Sequence, residues 1–358
     1  MFPFDTLSVE IFGASHAEEI GVRINNVPRD AAIDAARLQA FLDERKAGIS
    51  PWSTPRNEPD RIIVKSGLTN GKTDGNELVA VIENVCKKSS DYDSLRFTPR
   101  PSHADYVARI KDGENADLAG GGRFSGRMTA PLCIAGGIAL QILSHYGIEL
   151  GAYVSEIGNV QGKSYLDGVT LDDINRAKEK GDFALSNTDK MTDLVLSARQ
   201  KGDSVGGAVE CVAFGVPAGL GDALFCGTEG KIAASVFAVP AVKSVEFGLG
   251  KGFASSFGSQ ANDPFCVKDG KIATETNNNG GINGGITNGM PITVRATFKP
   301  TPSISLPQKT VDLRTNTETT ITIKGRHDAC VVPRAVPAVK AAVALALLDS
   351  LLNENKLQ

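Results

Sequence analysis

Two apolar runs, residues 130–143 and 334–352, constrain this chain more than any other feature of it. A helix that is apolar around most of its circumference has no face to give to water and must be enclosed on several sides. The first run carries Pro131 near its start and Gly136-Gly137 inside it, and at that length it is too short for a bilayer, so it reads as a buried core helix. The second, rich in alanine and leucine, has the propensity and striping of a long helix. Strands elsewhere supply the enclosure. Leu7-Ser-Val-Glu-Ile-Phe12 alternates like a half-buried strand, and residues 61–66 and 77–82 flank the turn Gly67-Leu-Thr-Asn-Gly71. Residues 207–213, 231–237, 291–298 and 319–323 read as further short strands. A shorter helix is expected over 33–43, from the spacing of Ile33, Ala36, Leu38 and Phe41. No repeat and no shift of composition marks a boundary. The expectation is one unit over 1–358, of the α+β class, with central helices packed between antiparallel sheets.

A formal charge of -3 gives no global reason to expect nucleic acid or a membrane surface as partner, so any anionic ligand must be held by a local cluster of basic residues. Cys86, Cys133, Cys211, Cys226, Cys266 and Cys330 lack the C-x-x-C spacing of a zinc or redox site and read as reduced core thiols; no metal site is expected. Asp5 and Glu10 stand where a signal peptide would need basic residues followed by an apolar stretch, and a cytoplasmic protein is expected.

Of the four histidines, His145 ends the first apolar run and suits a helix C-terminus. The other three lie in polar loops beside basic residues: Gly13-Ala-Ser-His16 on a turn at a strand end, Arg100-Pro-Ser-His103, and Arg326-His-Asp328. Arg123-Phe-Ser-Gly-Arg127 precedes the core helix, where a helix N-terminus favours anions. A site that grips phosphate and carboxylate needs planar guanidinium forks, and one that expels a leaving group needs a nearby acid. The glycine- and asparagine-rich segment 277–289 and Lys299-Pro-Thr-Pro-Ser303 place bare backbone, hydroxyls and a cation where a flat cofactor and its phosphate would fit.

Two familiar signatures fail on context. Gly67-Leu-Thr-Asn-Gly-Lys-Thr73 is one residue short of a P-loop and lies between strands. Gly202-Asp-Ser-Val-Gly206 matches the nucleophile elbow of α/β-hydrolases, but the polar Ser197-Ala-Arg-Gln-Lys201 precedes it where a buried strand is required, so a plain turn into a strand is expected.

Taken in order, the motifs resemble the chorismate synthase family from end to end. They are Gly13-Ala-Ser-His-Ala17, Arg100-Pro-Ser-His-Ala-Asp105, Ala119-Gly-Gly-Gly-Arg-Phe-Ser-Gly-Arg127, Asp203-Ser-Val-Gly-Gly-Ala-Val-Glu210, Ala241-Val-Lys-Ser-Val-Glu-Phe-Gly248, Gly258-Ser-Gln-Ala-Asn-Asp263, residues 284–289 and 299–303, and Arg326-His-Asp-Ala-Cys330. The resemblance implies a β-α-β sandwich and a lyase that removes phosphate from 5-enolpyruvylshikimate 3-phosphate by 1,4-elimination, with reduced FMN required. It implies that His16 protonates the departing phosphate, that His103 keeps the flavin suitably protonated, and that Asp328, relayed with Ser15, assists proton removal. Arg45, Arg100, Arg127 and Arg326 would hold the substrate. Arg123, Phe124, Ser125, Pro240, Ala241 and Gly284 match flavin-contacting positions, as do Lys299, Pro300, Thr301, Pro302, Ser303 and Arg326. A homotetramer is implied as well, and an external supply of reduced flavin is expected from the residues because no G-x-G-x-x-G unit is present.

The chain departs from the family at Ala14, Ala17, Ala119 and Ala329, and it lacks a further arginine near Ile49 or Pro51. These changes bear on substrate affinity and on closure of the proline-broken loop 45–60, while the proton-carrying groups are retained. The rival expectations are a flavin- or anion-binding relative without turnover and, more distantly, a serine hydrolase built on Ser204 and His327.

Overall fold

A computed structural model describes residues 4–46, 59–84, 97–113, 119–323, 327–354 and 356. The strands Ser8–Gly13, Glu19–Asn25, Leu78–Glu83 and Ile63–Ser66 form, in that spatial order, an antiparallel sheet. Its register sets Val9 opposite Ile24 and Ile20 opposite Ile82, and all four side chains are buried. A second antiparallel sheet runs Val242–Phe247, Ile292–Phe298, Gly207–Phe214, Glu149–Ile157 and Val160–Gln161.

The two apolar runs are the helices Thr129–His145 and Val332–Asn353, and they form the layer between the sheets. The first lies against the four-stranded sheet and the second against the five-stranded one, which gives the expected sandwich. With the turn Gly126–Met128 added to the first, the spans Gly126–His145 and Val332–Asn353 are each long and apolar enough to cross a bilayer, but 78% and 83% of their most apolar stretches are buried inside the molecule, and that burial accounts for the composition. The glycine pair has a packing reason on both sides. A Cβ added to Gly136 would lie 2.1 Å from that of Ala341, and one on Gly137 would lie 2.5 Å from Leu38 Cδ1 of the helix Ala35–Asp43. Side chains at either position would force the helices apart, at a cost of about 1–3 kcal/mol. At the far end, the buried carboxylate of Asp349 accepts the backbone N–H groups of Asp5, Thr6 and Leu7 at 2.8–3.0 Å, which ties the first strand to the last helix.

Three expectations need correction or limits. Residues 231–237 are not a strand but most of the helix Thr228–Phe237, which buries Ile232, Ser235 and Val236 and donates the Ser235 hydroxyl to the carbonyl of Ala342. A short apolar run has no period of its own to separate strand from buried helix. Cys133, Cys211 and Cys330 are core thiols, pushed by burial up to about 12, whereas Cys226 is exposed and Cys266 half-buried. Cys86 and residues 47–58, with Ile49 and Pro51, lie outside the described residues.

The failed signatures are explained by topology. Leu68–Thr69 pairs with Lys72–Thr73 in a tight hairpin with no helix after it. Residues 202–206 join the helix Thr188–Gln200 to the strand Gly207–Phe214, the reverse of the strand-then-helix order an elbow requires, and Ser204 donates to the carbonyl of Thr301 at 2.7 Å.

Candidate active site

A cavity of about 670 Å³ opens where the N-terminal ends of the two core helices meet the segments 100–104, 238–241 and 298–303. Its size is that of a small-molecule site.

One wall starts at the glycine-rich segment. Ser125 accepts the N–H of Arg127, capping the short turn Gly126–Met128 and fixing Arg127 at the entrance of the core helix. Arg127 donates from Nε to Asn84 at 3.1 Å and from Nη1 to Asp60. Arg45, just past the helix Ala35–Asp43, donates from Nη1 to the other oxygen of Asp60 at 2.8 Å and from Nε to Thr129. All three charged side chains are more than nine-tenths buried. Burial, with the guanidinium of Arg334 beside it, lowers the pKa of Arg45. Arg334, in the first turn of the C-terminal helix, donates to Asp328 and also, from Nε, to the carbonyl of Arg45 at 3.2 Å.

The opposite wall is a tight turn. Ser102 has φ +58, and His103 N–H donates to the carbonyl of Arg100 at 3.2 Å, which returns the histidine ring to its own arginine. Asp105 accepts from Arg100 Nε and Nη2, both at 2.7 Å, and from the Arg100 backbone. His103 Nδ1 lies 2.7 Å from the same carboxylate and 3.1 Å from Arg100 Nη2; a guanidinium only donates, so the shorter contact, to the carboxylate, is the one that takes a proton on Nδ1 and leaves Nε2 to exchange one. Burial opposes the charge on Asp105, but the hydrogen bonds from Arg100 and His103 outweigh it and hold the carboxyl well below the ordinary carboxylate range. Arg100 Nη1 reaches Ser303 at 3.3 Å, and Lys299 donates to the carbonyl of Ser102, so the segment 299–303 is fastened to this turn.

The cavity thus brings together Arg45, Arg100 and Arg127 with His103 and Asp328. Arg326 lies outside the described residues. His16 and Ser15 do not line the cavity but sit on the adjoining turn: Ser15 Oγ is 3.0 Å from His16 Nδ1, and the Ser15 N–H donates to the carbonyl of Gly122 at 3.4 Å. Of the expected cofactor positions, Arg123, Phe124, Ser125, Pro240 and Ala241 line the cavity, as do Lys299, Thr301, Pro302 and Ser303. Pro300 faces a smaller cavity beside Ser204. Gly284 is in the hairpin of Ile282–Asn283 and Ile286–Thr287, at the far end of the helix whose other end leads into Pro240. Sequence reasoning missed Asp60, Asp105 and Arg334 as site residues. Arg334 had a signal: a cation in the first turn of an apolar helix, where the helix dipole disfavours it.

Flavin is the group the motifs call for, and the cavity fits it on one unexplained atom. Thr301 Oγ1 is buried with no hydrogen-bond partner among the described residues. The same cavity is lined by Lys299, a cation for a phosphate, and by Phe124, Pro240 and Pro302, apolar groups for a ring.

Fold and cavity define an enzyme for a small, multiply anionic molecule, built without a phosphate loop or a nucleophile elbow. Comparison with known proteins makes that specific. The chorismate synthase family profile matches residues 7–352. A chorismate synthase of Thermococcus kodakarensis is 45% identical over 349 residues, 98% of this chain and 97% of the relative. One from Dehalococcoides mccartyi is 44% identical over 343 residues, 94% and 93% of the two chains. A solved chorismate synthase structure superposes with a TM-score of 0.75 at 26% identity, covering 98% of this chain and 93% of that one. The chain belongs to the chorismate synthase family, and its fold is that of the family.

Proposed function

We propose that this cavity removes phosphate and a ring proton from 5-enolpyruvylshikimate 3-phosphate by 1,4-elimination, giving chorismate, with reduced FMN held against residues 299–303. The observation that carries the reading is the convergence of Arg45, Arg100 and Arg127 on the one cavity that also contains His103 and Asp328. A substrate with a phosphate and two carboxylates needs several charge-assisted contacts, and guanidinium forks supply them without a metal.

Reduced flavin, when bound, supplies an electron-rich ring that lends and recovers electron density, so the reaction has no net redox change. The chain supplies binding and proton control. Arg45 and Arg127, with their shared carboxylate, form a fixed cationic floor for the anionic groups. His16, oriented through Nδ1 by Ser15, protonates the departing phosphate. His103, held through Nδ1 by Asp105, would keep a bound reduced flavin suitably protonated through Nε2. Asp328, relayed with Ser15, assists removal of the ring proton, which its carboxylate finally accepts. Arg326 adds a further substrate contact. This reading takes residues 1–358 as one catalytic unit that works in the cytoplasm as a homotetramer and receives reduced flavin from a separate reductase. Family membership supports the single unit, the cytoplasm and the homotetramer, and the lack of a G-x-G-x-x-G unit supports the separate reductase.

Release of inorganic phosphate from the enolpyruvyl substrate tests the reading. With photoreduced FMN, phosphate should appear without stoichiometric loss of reductant; with oxidised FMN the substrate should bind and remain intact. Equal release in both states, or none in either, would overturn it.

A further inference from the structure

We propose that Arg334 is a positioning residue that holds the proton acceptor Asp328 and the substrate-gripping Arg45 in one fixed relation. The inference deepens the reading above and rests on Asp328 being the proton acceptor. Arg334 stands directly after Pro333 in the first turn of the C-terminal helix. There the unpaired N–H groups and the helix dipole disfavour a cation, so local helix energetics do not explain an arginine. Its partners do. One arm of the guanidinium, Nη1, donates to Asp328 Oδ2, and Nε donates to the carbonyl of Arg45 at 3.2 Å, across 289 residues of sequence. Lysine carries the charge but lacks the planar fork that meets two acceptors in different directions.

Both acceptors are themselves anchored. The segment of Asp328 is fixed from behind by the N–H of Val205, which donates to the carbonyl of Ala329 at 2.8 Å. The guanidinium of Arg45 is fixed by Asp60 and Thr129. Arg334 is therefore the link between two parts of the site that the chain brings in from opposite ends. Its side chain is 26% exposed and lines the cavity, and that of Asp328 is 11% exposed, so the link is close to the reacting groups without being sealed in the core.

A double-mutant cycle on the full-length enzyme with reduced FMN separates positioning from direct substrate binding. Arg334→Gln should lower kcat by roughly 10- to 100-fold, the scale of a catalytic group displaced by about 1 Å. Substrate affinity, measured by calorimetry on the oxidised-FMN complex, should change by less than about threefold. Arg334→Lys should recover only part of the loss. The double variant Arg334→Gln with Asp328→Asn should turn over within about threefold of Asp328→Asn alone, because the arginine acts through a group already removed. Effects that multiply, or a tenfold or greater loss of substrate affinity in Arg334→Gln, would overturn the proposal and make Arg334 a substrate ligand. Wild-type kcat in Asp328→Asn would instead remove the assignment of Asp328, and the proposal with it. If Arg334→Gln does not fold, as judged by circular dichroism, the cycle is run with Arg334→Lys, which keeps the charge and loses the second donor.

Discussion

The two walls of the cavity use carboxylates in opposite ways. Among the described residues of the wall formed by the core helices, Asp60 serves two guanidiniums and Asp328 a third. On the turn wall, Asp105 is saturated by one arginine and one histidine. A carboxylate shared between two guanidiniums holds two cations at the cavity, whereas one given to a single arginine and its histidine fixes a ring and a fork in place. The helix wall is built to bind and the turn wall to orient.

The largest effect should come from breaking the shared carboxylate. Asp60→Asn leaves Arg45 and Arg127 buried without their counter-charge, and urea denaturation should show a loss of about 3–5 kcal/mol. An unchanged midpoint would mean that the two guanidiniums do not depend on Asp60, and the first half of the contrast would fail.

Next in size is the division between binding and orientation. Arg127→Ala should weaken substrate binding by roughly 2–4 kcal/mol, as for a charged partner lost from a buried anion. Arg100→Ala should cost less in affinity and more in kcat, because Nε and Nη2 of Arg100 are already given to Asp105. Titration calorimetry beside steady-state kinetics on both variants decides this, and equal losses of affinity would erase the distinction between the walls.

What the sequence shows of this site follows the same contrast. The turn wall is local: Arg100, His103 and Asp105 lie within six residues, and the motif displays them together. The helix wall is assembled from residues 45, 60, 127, 328 and 334, and only the tertiary fold makes Asp60 the partner of two arginines so far apart. The core helices were legible because an apolar run of that length has few other fates. The helix Thr228–Phe237 was not, because its short run of small and aliphatic residues suits a strand equally well. The same limit applies to Gly284, whose place in a distant hairpin depends on pairing rather than on composition.

A smaller effect is expected in the proton chemistry of the turn wall. His103→Ala should lower turnover at least tenfold with little change in substrate affinity, and Asp105→Asn should do the same by about 10- to 100-fold, because the ring loses the acceptor that selects its tautomer. His145→Ala is the control. His145 ends the core helix and packs edge-on against Tyr146, away from the cavity, so its loss should touch stability alone. Full activity in His103→Ala together with an inactive, folded His145→Ala would reverse the assignment.

The smallest expected effect is a flat line, and its sign follows from Asp105. The hydrogen bonds from Arg100 and His103 depress the folded-state pKa of Asp105 despite its burial. A carboxyl depressed in the folded state binds fewer protons folded than unfolded. Its contribution to stability is therefore complete above the unfolded value of about 3.9 and is lost only as pH falls through the lower, folded value. The difference in unfolding free energy between the wild-type protein and Asp105→Asn should accordingly vary by less than about 0.5 kcal/mol from pH 8 to pH 5 and shrink only below about pH 4. Denaturant titrations across that range measure it directly. A difference that instead shrinks between pH 5 and pH 7 would show that the charge holding the turn wall together titrates where imidazole does, which would shift the orienting role from the carboxylate to His103.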